Sequence, residues 1–188
     1  MSVLANSHPT NKLNTGKVAL SIILISESVF FATMLVAYVA LRDQNNWPVE
    51  HTLARLSIPL TNTVLLLFSA ISAWRATVSL RVGKTSASQA WQILTLLLGL
   101  VFVTIQIFEF THSGMQINDQ AYGGVFFTLM GFHGLHVLAG IVFLMINLVR
   151  TRLGDFSSTR YDTVEIGSWF WYYVTSVWIL LFVALYLL

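Results

Sequence analysis

Three ionisable side chains, Glu27, His133 and His136, fall inside long apolar runs of this chain. An ionisable group at the centre of a bilayer costs roughly 2.5–3.5 kcal/mol on insertion scales, so each needs a partner or a task. For Glu27 the readings are hydrogen-bonded packing within a helix bundle, a proton relay, a polar contact facing a partner, or metal ligation. Spacing gives the metal reading some support. Glu109 and His112 stand three apart, as do His133 and His136, which places each pair on one helix face as in di-iron bundles. Their depths disagree, because Glu109 and His112 close one apolar run whereas His133 lies about eleven residues, roughly 16 Å, inside the next. The two pairs are too far apart to share one ion. A bis-histidine haem lacks a facing ligand, since His8, His51 and His112 occupy polar or boundary positions. With no cysteine, disulfides, thiolate zinc sites and iron–sulfur clusters are excluded too. The chain is therefore expected to hold no metal or haem of its own and to have no catalytic residue.

The elements that position these groups follow from composition. Of 188 residues, 56% are apolar and 10% charged, against about 25% charged in soluble domains. The mean hydropathy is +0.73. A net charge of +2 is too small to point to nucleic acid. Residues 1–16 form a polar segment without a signal-peptide cleavage pattern, and 17–188 read as one membrane domain. Its spans are about 18–42, 57–80, 91–112, 122–149 and 166–188. They lack the short alternating strands of a closed barrel, so an all-α bundle of five transmembrane helices is expected. Pro59 falls in the first turn of the second span, where its missing N–H is harmless.

Five spans put the N-terminus and the second and fourth loops on one side. That side collects Lys12, Lys17, Arg75, Arg81, Lys84, Arg150, Arg152 and Arg160, leaving Arg42 and Arg55 opposite. The positive-inside rule then places the N-terminus in the cytoplasm, with Trp74, Trp91 and Trp169 in the inner aromatic belt and Trp47 outside. Glu27 and His136 lie roughly 15 and 20 Å from that surface, similar depths that permit direct contact. Span four, with Gly123, Gly124, Gly131, Gly134, Ala139 and Gly140, reads as a tightly packed central helix that keeps both histidines in protein. The aromatics of span five, Trp169 to Tyr173 and Trp178, read as a headgroup anchor or a surface for a protein partner, and Arg150 and Arg152 as cations that snorkel to phosphates or form a specific lipid headgroup site.

Several runs together resemble subunit III of the haem–copper oxidases, the cytochrome c and quinol oxidase family. They are Ser26-Glu27 with Phe30-Phe31; Trp47-Pro48, Pro59-Leu60 and Asn62-Thr63; Gln106 with Glu109; Asp119, Tyr122-Gly123 and Phe126-Phe127; and the most specific run, Gly131 to Val137. They occur in the family's order and cover nearly all five spans. The family's last helix usually reads Tyr-Trp-His-Phe-Val-Asp-Val-Val-Trp after an acidic residue. Here Glu165 precedes Phe170 to Trp178, with Tyr172 and Thr175 in place of that His and Asp.

The resemblance is to the shorter five-helix bacterial form and implies a non-catalytic subunit of the bacterial inner membrane. It would pack on the catalytic subunit I, which carries haem and copper, and on other oxidase subunits, holding structural phospholipid and supporting proton uptake. It also implies that Glu27 is the family's intramembrane glutamate, that Glu109 and His133 are polar core positions, and that Arg150 stands at a lipid headgroup. Two alternatives are an accessory protein of a nitric oxide reductase and a free-standing transporter. The transporter lacks visible support, since neither repeated halves nor broken helices appear.

Overall fold

The computed structural model describes residues 15–45, 53–112 and 120–187. Most of the polar N-terminal segment, Trp47 and Asp119 lie outside the described residues, as do the side chains of Arg42, Arg55, His112, Tyr122 and Gly123. Five α-helices account for nearly all of them: α1 (Thr15–Asn45), α2 (Leu53–Arg81), α3 (Thr85–His112), α4 (Gln120–Arg152) and α5 (Asp162–Phe182), the last continued by a π-helical turn over Val183–Leu187. Each is long and apolar enough to cross a membrane. A helix satisfies every backbone group internally, which is what hydrocarbon demands.

Some helices outrun their apolar segments. α3 starts at Thr85 rather than near 91, because Gly83, at a φ of +75°, closes a tight turn directly after α2. Its polar first turns are buried against protein. Ser88 donates to the Ala76 carbonyl at 2.8 Å, and Gln92 donates to the Thr151 hydroxyl at 3.1 Å.

Two helices share the centre: α4 packs against α1, α3 and α5, and α5 packs against α1, α2 and α4. Trp171 and Trp178 fix α5 in that position. Both are fully buried, and their indole N–H groups donate to Ser69 Oγ and Thr63 Oγ1 at 2.9 Å each. Of the aromatic run expected to anchor at the headgroups, Trp169 is exposed, while Trp171 and Trp178 are core pillars. Gly99 and Gly140 exist for Trp171: a Cβ on either would come within 2.8 or 2.9 Å of its ring. By contrast a Cβ on Gly124, Gly131 or Gly134 would meet nothing within 4 Å. Those three glycines therefore do not tighten the bundle within this chain.

α1 lies at the edge, and among its described side chains only Leu20, Phe31 and Tyr38 are buried. A charged clasp fixes its first turn. Lys17 Nζ lies 2.7 Å from Glu165 Oε2 and 3.0 Å from Asp162 Oδ1, and Arg81 pairs with the other oxygen of Glu165. Glu165 is buried, Lys17 also lies over Trp169, and Arg81 lies over Tyr161. The acids stand at the N-terminus of α5 and Arg81 at the C-terminus of α2, each on the favourable end of its helix dipole.

Four substitutions in the purified chain in detergent test this packing. Gly140→Ala should lose about 1–3 kcal/mol by overpacking the immovable Trp171 ring, while Gly134→Ala should stay near wild type; thermal unfolding reads both. Glu165→Ala leaves two cations without their shared carboxylate and should cost about 2 kcal/mol, between the values of exposed and buried pairs. Asp162→Asn, on the exposed side of the clasp, should cost under about 1 kcal/mol in the same assay.

Candidate functional site

Glu27 and His136 do meet. His136 Nε2 lies 3.3 Å from Glu27 Oε2 across the seam of α1 and α4. The other ring nitrogen, Nδ1, is 2.7 Å from the Phe132 carbonyl, one helical turn back. A carbonyl only accepts, so Nδ1 carries a hydrogen and Nε2 is the nitrogen presented to the carboxyl. Two protonation patterns satisfy the contact: a carboxylic acid donating to neutral imidazole, or an imidazolium donating to carboxylate. Phe31 packs edge-on against the imidazole at 5.3 Å, and Phe30 meets Phe132 at 4.9 Å, so aromatic rings flank the pair. The Glu27 side chain is 36% exposed and that of His136 18%. The pair therefore lies on the outer seam of the bundle and is only partly enclosed by it.

His133 has the opposite environment although it is three residues away on the same helix. It is fully buried, with ring centroids 5.4 Å from Trp178 and 6.2 Å from Phe102. Neither ring nitrogen has a hydrogen-bond partner among the described residues. The three-residue spacing of the histidines thus spans a boundary between core and seam.

Glu109 belongs to a third environment. Tyr186, in the π-helical turn after α5, donates its hydroxyl to Glu109 Oε1 at 3.0 Å. One turn deeper, Asn62 donates to the Phe102 carbonyl and to Gln106 Oε1, at 3.3 and 3.4 Å. Glu109 and His133 are not in contact, in keeping with their different depths. Among the described residues, no three His, Cys, Asp or Glu side chains converge as a metal site would require.

Arg150 and Arg152 end α4. Arg150 Nε donates to Asp155 Oδ2 at 3.0 Å, and its guanidinium lies 4.9 Å from the centre of the Phe156 ring. Both charged partners remain nearly half exposed, and Arg152 is exposed. Of the two residues that depart from the usual last-helix pattern, Thr175 is buried and donates to the Trp171 carbonyl of its own helix at 2.9 Å. Nothing across the helix interface is needed to satisfy it.

Sequence reasoning missed the role of Glu165 as the hub of the clasp. Lys17 and Arg81 register in the sequence only as charges that set orientation. The available signal was an acid in the first turn of the last span, on the side of the membrane that holds most of the cations.

A family model described as cytochrome c oxidase subunit III matches residues 2–188. A probable cytochrome c oxidase subunit 3 of Nocardia farcinica is 34% identical over 95% of this chain and 91% of its own length. Cytochrome c oxidase subunit 3 of Thermostichus vulcanus is 30% identical over 98% of this chain and 90% of its own. The Mus musculus protein of that name is 36% identical over 87% of this chain but only 66% of the mouse sequence, which is longer. With five spanning helices and a match that runs almost from end to end, this chain belongs to the cytochrome c oxidase subunit III family.

Proposed function

We propose that this chain is the non-catalytic third subunit of a bacterial haem–copper terminal oxidase, set in the inner membrane with its N-terminus in the cytoplasm. The observation that carries the reading is the family match over residues 2–188. The distribution of Lys and Arg supports the orientation. Haem and copper belong to the catalytic partner, subunit I. The histidines here do not fit such groups: His136 is committed to Glu27 and the Phe132 carbonyl, and His133 is walled in by Phe102 and Trp178.

On this reading the chain works as a scaffold. The α2–α5 core is stiff because its polar groups bond across helices, and its outer faces meet other oxidase subunits and lipid. Arg150, held by Asp155 and Phe156, and the neighbouring Arg152 stand where a phospholipid phosphate would be bound. Glu27, Glu109, His133 and His136 form the intramembrane polar set. Of these, the Glu27–His136 pair brings two ionisable groups within 3.3 Å and has an open side, the features a role in supporting proton uptake would use.

The complex purified in mild detergent should contain this chain with a subunit that shows haem and copper in its optical and metal analysis. Recovery with a nitric oxide-reducing partner, or as a free chain, would overturn the assignment. Within that complex, Glu27→Gln should assemble normally, because an amide can still bond to His136 Nε2. Glu27→Ala should weaken retention of the subunit, read as its ratio to subunit I. If Glu27→Gln assembles but turnover falls severalfold, the pair's task is proton handling; unchanged turnover makes it a packing contact.

A further inference from the structure

We propose that Arg75 and Trp74 form a binding site for the phosphate of an anionic phospholipid, in the leaflet at the Lys17 end of the bundle. Depth is the first argument. Arg75 stands six residues, roughly 9 Å, before the end of α2 at Arg81. Trp91 lies six residues into α3 and Trp169 seven into α5, so with Trp74 three tryptophans from three helices mark one level. Tryptophan concentrates where headgroups meet hydrocarbon. Arg75 is thus at phosphate depth.

Exposure is the second argument. Ile71, Trp74 and Arg75 share one outward face of α2, and Ile71 and Trp74 are each about half exposed. The guanidinium carbon sits 5.2 Å from the centre of the Trp74 indole. A guanidinium held over a ring keeps N–H groups for a phosphate oxygen, which it can meet bidentately.

Charge is the third. At this end of the bundle the acids are Asp155, Asp162 and Glu165, and each is engaged by Arg150, Lys17 or Arg81. The segment before Thr15 contains no acidic residue. Arg75 makes no salt bridge among the described residues, so its counter-charge has to come from outside the chain. A lipid phosphate supplies it at the right depth, and the acyl chain continues along Ile71 and Phe68, both exposed. The inference concerns this chain's own surface and stands or falls separately from its assignment to an oxidase.

The test uses the full chain in nanodiscs containing brominated phosphatidylglycerol or brominated phosphatidylcholine, with Trp74 emission isolated by subtracting the Trp74→Phe protein. Wild type should show about fivefold preferential quenching by the anionic lipid. Arg75→Lys should keep part of that preference, and Arg75→Gln should lose it at unchanged thermal stability. Equal quenching by both lipids in wild type, or a preference that survives Arg75→Gln, would overturn the site. So would a photo-crosslinker placed at Ile71 that, in native membranes, labels a neighbouring protein instead of lipid.

Discussion

Four of the five helices meet at one indole. Trp171 of α5 donates to Ser69 of α2, and its ring fills the space left by Gly99 of α3 and Gly140 of α4. In lipid there is no hydrophobic force to press apolar helices together, because the hydrocarbon outside is as apolar as the side chains within. Close fit and interhelical hydrogen bonds must do that work. The Trp171 junction supplies both, and Trp178 repeats the device about two turns further along α5 through Thr63. Smaller bonds complete it: Ser72 to Thr95 at 2.7 Å, Thr77 to Ser168 at 2.9 Å, and Gln92 to Thr151.

α1 stands outside this junction, and its attachment has a different character. It presents most of its length to the surroundings and is tied down at two depths by charged or hydrogen-bonding groups, Lys17 to Asp162 and Glu165, and Glu27 to His136. Beyond Glu27, Phe31 and Tyr38 pack with Leu129, Val177 and Leu181. Polar contacts in low dielectric are strong but conditional on their geometry. The one helix with little apolar burial is therefore the one whose position depends on ionisable side chains.

The same contrast separates the two histidines of α4. A step of three residues turns the side chain by about 60° around the helix axis, enough to carry it from the packed interior at His133 to the α1 seam at His136. Their different surroundings follow from where neighbouring helices lie, and the similar spacing of the residues carries no information about that.

The sequence by itself determined that there are five helices, roughly where each crosses, and that Glu27 and His136 share a depth. These are local properties: helical rise is fixed, and hydrocarbon admits few backbone conformations. The motif runs also placed the chain in its family. Only the tertiary structure decided that α5 shares the centre with α4, that Trp171 and Trp178 are interior, and that Glu165 gathers Lys17 and Arg81. Glycines looked alike in sequence, yet Gly140 faces Trp171 while Gly131 and Gly134 face open space. Nearly every face of these helices is apolar, so hydrophobic periodicity does not say which way each one is turned. That rotation is set by contacts between residues as far apart as Ser69 and Trp171, which no stretch of sequence contains.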